Sequence, residues 1–369
     1  MTNLSFAELD RCFRNNDFTS IENDNRGIRF LKLRSMSRRV TMEEFCEIHN
    51  IDIEELGARE YFQLIFNLDA VTDEQINDFI NLKYQEERQE RVENQDYLVD
   101  QMNRLQSFDW GGSFGNSLEK NIVNNYVKKI QSYDRINEEI EGNLLSSLRG
   151  YTLNSWYNHW TSILIEDLFK DHQSVLPTVG LVKKIDFFIN NIPFDLKVTY
   201  FPEQLLADKL RGNGYGNELT MLKRICRQLD IFIPTDLKPK ELKLHLHNIV
   251  SEDQREEAKE FIATLKEHKR NIIAEAEENP AELKKWFYEN QGEARFDASN
   301  RFFLVLTDET DMTSSWKLKR NIVFLREKIN EHLDNLLMDM TSLETEFYWH
   351  QDQQTYNCKS DILFLKYGE

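Results

Sequence analysis

Two aspartates and one lysine lie within a short segment that has the residue types of a metal-assisted hydrolytic site. The segment 181–202 reads LVKKIDFFINNIPFDLKVTYFP and holds Asp186, Asp195 and Lys197. Asn190-Asn191 lies midway between the aspartates and predicts a two-residue hairpin turn, because asparagine tolerates positive φ. Closing the hairpin there places Asp186 directly opposite Asp195. Two carboxylates with Cβ atoms roughly 5 Å apart either repel each other or share a hard cation such as Mg²⁺.

Two strands must position these side chains. Apolar and polar residues alternate over Ile192–Tyr200, which predicts a half-buried strand with Asp195 and Lys197 on its polar face. The run 181–189 predicts the preceding strand, with Asp186 on the face opposite the buried one. The expected register pairs three apolar couples: Ile189 with Ile192, Phe187 with Phe194, and Ile185 with Leu196.

A third acid lies on a helix predicted just before the hairpin. Apolar residues recur at helical spacing from residue 154 onwards and form a stripe: Trp156, Trp160, Ile163, Leu164 and Leu168. His159, Ser162 and Glu166 recur at i, i+3 and i+7, so they line one flank of that stripe. Glu166 is therefore a candidate for binding a metal or positioning a water, and the alternative is a solvated surface acid.

This pattern resembles the PD-(D/E)xK nuclease superfamily, the fold of many type II restriction endonucleases. In that family an Asp ends one strand and an acid-x-Lys triplet lies on the next. The matching residues are Asp186 and the triplet Asp195-Leu196-Lys197, and Glu166 matches a glutamate that similar enzymes often add from the preceding helix. The resemblance covers about residues 154–202. Ile185 stands where the family name has its Pro.

The resemblance implies a Mg²⁺-dependent endonuclease that hydrolyses phosphodiester bonds of double-stranded DNA. Asp186, Asp195 and the Leu196 carbonyl would bind the metal, and Glu166 would hold a second metal or a water. Lys197 would orient or activate the water and stabilise the charge that develops on the phosphoryl oxygens. The resemblance further implies a homodimer matched to a palindromic site, with a cognate DNA methyltransferase in the same system.

Two other classes of function stay open at this point. A catalytically inactive protein on the same fold would bind DNA without cutting it. A nuclease acting on RNA or single strands would use the same carboxylates on another substrate. Taken alone, an Asp-x-Lys string on a strand is most often a solvated face.

The charge distribution limits where nucleic acid would bind. The chain has a formal net charge of −18, which opposes attraction of DNA to the protein as a whole. The segment 26–39 is an exception, because it contains six cations and no acid: Arg26, Arg29, Lys32, Arg34, Arg38 and Arg39. These residues are a candidate DNA contact, and the alternative is a solvated face.

The chain divides by pattern into two regions. Residues 1–110 are mostly helical in character, and the glycine-rich run 109–115 marks a boundary. Residues 111–369 are expected to form the nuclease core, with a helical insertion at about 203–295 and further strands at 301–306 and 361–365. The predicted fold class is α+β or α/β, with a mixed central sheet flanked by helices and preceded by a helical N-terminal region.

The remaining composition predicts an intracellular protein. No apolar run approaches the length of a membrane span, and the N-terminal residues lack a basic-then-apolar signal, so we expect a cytoplasmic location without membrane partners. Four cysteines are isolated in the sequence: Cys12, Cys46, Cys226 and Cys358. Their spacing favours reduced thiols over a disulfide framework or a zinc site.

Overall fold

A mixed six-stranded sheet lies at the centre of the computed structural model, which describes residues 3–36, 38–53, 56–106, 122–182, 185–290, 299–336, 343–350 and 353–368. The strands are β1 (Val175–Val182), β2 (Ile185–Ile189), β3 (Ile192–Tyr200), β4 (Arg301–Asp308), β5 (Glu344–Trp349) and β6 (Gln354–Tyr367). Their order is β1-β2-β3-β4-β6-β5. The β3–β4 and β4–β6 pairs are parallel, and the others are antiparallel. The expected mixed sheet with a helical N-terminal region is confirmed.

The N-terminal helices form an aromatic core that is continuous with the sheet. They are α1 (Phe6–Arg14), α2 (Phe18–Glu22), α3 (Gly27–Ser35), α4 (Arg39–Ile48), α5 (Ala58–Asn67) and α6 (Asp73–Asn103). Phe6, Phe30 and Phe62 pack edge-to-face or stacked at centroid distances of 5.0–5.8 Å. The same cluster includes Ile185 and Phe188 of β2, so these helices pack against the first strands. The predicted boundary at 109–115 lies outside the described residues.

Long helices cover one face of the sheet. After a π-helical turn at Val123–Val127, helix α7 (Tyr133–Glu139) leads through a second such turn, Ile140–Leu144, into α8 (Leu145–Lys170). Phe169 of α8 packs on Phe187 at 5.3 Å and on Phe302 at 4.9 Å, measured between ring centroids. The stripe residues Leu164 and Leu168 are buried there as predicted. This packing fixes α8, and with it Glu166, beside the hairpin.

Five helices connect β3 to its parallel neighbour β4, as a parallel pair requires a crossover. They are α9 (Glu203–Gly212), α10 (Glu218–Gln228), α11 (Pro239–Glu252), α12 (Glu256–Glu278) and α13 (Pro280–Asn290). Helix α13 covers the second face of the sheet, where Phe287 stacks on Phe303 at 4.8 Å and Tyr288 on Phe347 at 4.5 Å. Helices α10, α11 and α12 enclose a small core of their own.

The C-terminal part returns to the first face. A 3₁₀ helix, Met312–Arg320, and α14 (Ile322–Leu336) follow β4 and bury an apolar stripe against the sheet: Leu318, Ile322, Leu325, Ile329 and Leu333. The predicted strands at 301–306 and 361–365 lie within β4 and β6, so both are confirmed. In the part of the chain that the structure describes, no helix combines the length and apolarity needed to cross a membrane. The four cysteines carry free thiols.

The predicted continuous strand at 181–189 is wrong. Val182 ends β1 and pairs with Ile185, which begins β2, so the run is interrupted by a second hairpin. Alternating apolar residues continue on both sides of that hairpin, which is why the pattern suggested one strand. Ile185 also packs in the N-terminal cluster, away from Phe187 and Ile189.

Candidate active site

The asparagine turn closes as the sequence indicates. Asn190 has φ 48° and Asn191 has φ 61°, so both central residues are left-handed, as in a type I′ turn. Ile189 pairs with Ile192 and Phe187 with Phe194, which confirms the expected register near the turn. The turn is held against the N-terminal helices, because Lys32 Nζ donates to Asn191 Oδ1 at 2.7 Å.

Beyond these pairs the two strands separate around the aspartates. Among the described residues the β2–β3 ladder ends at Phe187 and Phe194, so the expected Ile185–Leu196 pair is wrong. Strand β3 bonds instead to the start of β4, where the Asp195 N–H donates to the Asn300 carbonyl at 3.0 Å. The Leu196 N–H donates to Asp186 Oδ2 at 2.7 Å. The Asp186 carboxylate thus takes the place of a backbone acceptor and joins the two strands.

Two cations contact Asp195. Lys197 Nζ donates to Asp195 Oδ1 at 2.6 Å, and Arg301 Nε lies 4.0 Å from Asp195 Oδ2. Arg301 neighbours Asp195 in the β3–β4 register and is almost fully buried, with its guanidinium 4.8 Å from the Tyr288 ring centroid. The side chain of Lys197 is 42% exposed, so it can reach a bound substrate. Sequence reasoning missed Arg301, whose position at the start of a predicted strand was its only signal.

Asp186 is the carboxylate of the site with the least favourable electrostatic surroundings. Burial and, after it, the charges of Glu166 and Asp195 raise the pKa of Asp186 to about 7, against the opposing effects of the Leu196 N–H and Lys197. Asp186 therefore titrates near neutrality in the absence of a cation. A positive ion between the aspartates would remove both the repulsion and part of the burial cost.

Glu166 lies next to Asp186 but has its own cation. Lys170, one turn further along α8, forms an ion pair with it at 2.5 Å between Nζ and Oε1. Lys170 is buried and donates to the Thr178 carbonyl of β1 at 3.2 Å. The Thr178 hydroxyl in turn donates to the Asp186 carbonyl at 2.8 Å. Lys170 and Thr178, neither predicted from the sequence, thus link α8, β1 and β2 at the site.

The donor set fits a hard cation bound by two carboxylates. Asp186, Asp195 and the Leu196 carbonyl offer oxygen ligands only, and Mg²⁺ commonly uses one or two carboxylates with water and substrate phosphate completing its shell. Within the described ranges, no group of three or more His, Cys, Asp or Glu side chains is arranged to hold a metal. Glu166 is paired with Lys170. This pairing is compatible with two roles, either positioning a water beside the ion or being a surface acid without a part in the site.

Three of the six N-terminal cations are used in packing. Arg29 donates to the carbonyls of Ile65 and Phe66 at 3.1 and 3.2 Å, which closes the end of α5. Lys32 is buried, and burial lowers its pKa. The Arg34 guanidinium lies 4.6 Å from the Phe13 ring centroid. These three side chains stabilise the N-terminal core.

The other three N-terminal cations are exposed. Arg38 lies 3.7 Å from Glu87, and Arg39 donates to Glu43 at 2.6 Å. Arg26 lies over the Phe66 ring at 4.5 Å. The structure therefore brings Glu166, Asp186, Asp195 and Lys197 together, but it does not assemble the six N-terminal cations into one free basic surface.

Comparisons of the chain with protein-family models, curated proteins and solved structures found no match. Function must therefore be inferred from the chemistry of the site itself. The arrangement offers two carboxylates for a cation, one accessible ammonium group and one neighbouring acid. Those groups suit the attack of water on a phosphodiester.

Proposed function

We propose that this protein is a Mg²⁺-dependent endonuclease that hydrolyses double-stranded DNA, as type II restriction enzymes do. The observation that carries the proposal is the junction at the hairpin. There the Asp186 carboxylate accepts from the Leu196 N–H, while Asp195 and Lys197 contact each other on the adjoining strand. Two acids and a lysine at this spacing match the motif of the nuclease family that the sequence resembles, and two carboxylates can hold a cation that assists phosphodiester hydrolysis.

Each residue of the site has a distinct role in this proposal. Asp186, Asp195 and the Leu196 carbonyl hold Mg²⁺, which when bound supplies Lewis-acid polarisation of the phosphate and a more acidic water. Lys197 leaves Asp195 for the substrate, where it orients the water and stabilises charge on the phosphoryl oxygens. Glu166 positions a water, and Lys170 fixes the direction of Glu166. Arg301 is a positioning residue that holds the Asp195 carboxylate in place.

The choice of substrate and assembly follows the family resemblance. Double-stranded DNA, a two-fold homodimer and a cognate DNA methyltransferase are what that resemblance implies, and nothing in the site distinguishes DNA from RNA. Cutting both strands of a palindrome commonly uses two active sites related by a dyad, which a homodimer supplies. Single-stranded DNA and RNA are therefore candidate substrates beside duplex DNA.

The test is incubation of the purified protein with plasmid DNA, phage DNA, single-stranded DNA and RNA in Mg²⁺ or in EDTA, followed by mapping of the ends. We expect discrete fragments in Mg²⁺ and intact DNA in EDTA. The Asp195→Asn variant should bind DNA in Ca²⁺ but leave it uncut in Mg²⁺. Asp208→Asn changes an exposed acid of α9 and is the matched control, which should cut like the wild type.

Other outcomes separate the alternatives. Smeared products would mean cleavage without sequence preference. Cleavage of RNA or single strands alone would replace the substrate but keep the site. Binding without cleavage under every condition would favour an inactive DNA-binding protein, and full activity of Asp195→Asn would disprove the assignment of the site.

A further inference from the structure

Helix α10 is amphipathic, and its polar face is cationic. Leu222, Ile225 and Cys226 are buried against α11 and α12. The opposite face carries Lys223, Arg224 and Arg227, with no acid among them. These positions are related as i, i+1 and i+4, so the three side chains lie on one side of the helix.

The three cations of α10 have no counter-ion among the residues that the structure describes. Arg224 and Arg227 are exposed and Lys223 is half-buried. In the described part of the chain, none of the three forms an ion pair or a hydrogen bond through its side chain. Glu218, the acid at the start of α10, is already bonded to Lys269 of α12 at 2.8 Å. The described residues therefore leave the positive charge of this face uncompensated.

The face is also firmly held. Asn217 caps α10, with its side chain accepting from the Leu219 N–H at 3.0 Å. The Glu218–Lys269 pair ties α10 to α12, and α12 donates in turn from Arg270 and Lys266 to the carbonyls of Glu309 and Thr310 just beyond β4. Because α10 is held in this way, its cations lie near one another before a ligand binds. Binding then loses less conformational entropy.

We propose that Lys223, Arg224 and Arg227 bind the phosphate backbone of the nucleic-acid substrate. This inference rests on the proposed nuclease function. A chain with a net charge of −18 repels polyanions and needs a local cationic surface to hold one. Three of the N-terminal cations are packed in the N-terminal core. The three cations of α10, in contrast, form no ion pair with a described residue and share one face of the helix. Backbone contacts of this kind fix the position of the duplex without reading its sequence.

The test measures the salt dependence of DNA affinity. The variant Lys223→Gln/Arg224→Gln/Arg227→Gln is compared with Lys259→Gln/Lys285→Gln/Lys328→Gln, which removes the same charge from side chains that each face an acid. Affinity for a double-stranded DNA fragment is measured in Ca²⁺ across a salt series. The α10 variant should lose about 0.9 of log–log slope per contact, or about 2.7 in all, while the control should keep the wild-type slope.

Further outcomes decide the proposal independently of catalysis. Equal salt slopes for the α10 variant and the control variant would overturn the proposal. Wild-type protein that binds no nucleic acid would also overturn it, and an acidic protein would then be the partner to test. The variant Arg224→Lys/Arg227→Lys keeps the three positive charges, and DNA affinity close to that of the wild type would support the proposal. If the wild-type protein cuts DNA but the α10 variant keeps the wild-type salt slope, the proposed nuclease function stands and this inference fails. If the α10 variant loses slope but the wild-type protein does not cut, the inference stands and the nuclease function fails.

Discussion

At the scale of single residues, the site depends on how differently the two aspartates are surrounded. Asp195 contacts Lys197 and Arg301, whereas Asp186 is buried beside two further acids, and only the Leu196 N–H and the charge of Lys197 compensate it. The two carboxyls therefore differ in how well their charge is compensated, and Asp186 is the one that a bound cation would stabilise more. Two predictions follow from this difference.

The first concerns the pH dependence of stability. The pKa of Asp186 rises from 3.8 to about 7 on folding, so between these values the folded state binds the extra proton and stability falls as pH rises. Asp186→Asn removes this penalty, which corresponds to at most about 4 kcal/mol above pH 7. Without metal, the unfolding free energy of the variant minus that of the wild type should increase from pH 4 to pH 8, as measured by urea denaturation.

Two features make that measurement specific to Asp186. Glu22 also has a pKa raised to about 7 by burial, but it is present in both proteins, so it cancels from the difference. Adding Mg²⁺ at pH 8 should raise the melting temperature of wild type more than that of the variant. Parallel stability curves for the two proteins would show that Asp186 carries no such penalty.

The second concerns Lys197, which we assign to water and phosphate and not to the ion. Lys197→Met should lower kcat strongly while leaving the Mg²⁺-induced shift in melting temperature close to that of wild type. Lys359→Met changes another lysine of the sheet and serves as the control. A lost Mg²⁺ shift in Lys197→Met, with unchanged turnover, would mean that the lysine acts on metal binding.

At the scale of elements, the site is assembled by one buried lysine that joins a helix to two strands. Lys170 contacts Glu166 on its own helix and Thr178 on β1, and Thr178 bonds to β2 at Asp186. A strand pair that opens at its two aspartates needs such a tie, because the regular ladder no longer supports it there. Lys170 thus stabilises both the geometry of Glu166 and the junction.

Replacing Lys170 should therefore affect stability and activity together. Lys170→Met leaves Glu166 and the Thr178 carbonyl without their donor and should cost about 1–3 kcal/mol of unfolding free energy. Cleavage should also fall, because Glu166 loses the ion-pair partner that fixes its direction. Lys285→Met removes an exposed ion pair on α13 and should change neither property. Wild-type stability in Lys170→Met would remove the basis for this linkage.

At the scale of the whole molecule, a buried ionic network fastens the N-terminal helices to the core. Arg88 of α6 is buried and donates to Asp171 at 2.8 and 2.9 Å, just beyond α8. Arg91 forms a two-bond pair with Asp167, and Arg326 of α14 reaches Asp171 at 3.0 Å. The helices before residue 104 are therefore joined to the sheet region by charge as well as by apolar packing.

Breaking this network should loosen the N-terminal helices. Arg88→Met removes a buried cation that pairs with the buried Asp167 and with the more exposed Asp171. It should lower the unfolding free energy by about 3 kcal/mol, since breaking a buried pair is costly. Arg38→Met removes an exposed partner of Glu87 and is the control. Urea denaturation followed by tryptophan fluorescence checks the result, and an unchanged midpoint for Arg88→Met would contradict a stabilising role of the network.

The sequence determined the local features of the site. The asparagine pair predicts its own left-handed turn, and alternation in 192–200 predicts the strand that carries Asp195 and Lys197. The helical spacing before it places Glu166 on the flank of a buried stripe. Each of these follows from backbone preferences and from side-chain periodicity, which a few neighbouring residues are enough to establish.

Only the tertiary structure decided what each face packs against. Arg301 contacts Asp195 because β4 returns beside β3 after five intervening helices, and no local pattern gives the register of so distant a pair. Lys32 and Arg34 read as a basic surface in the sequence but are covered by neighbouring elements. Periodicity reports which side of an element is buried, whereas the partners that neutralise a charge come from remote parts of the chain.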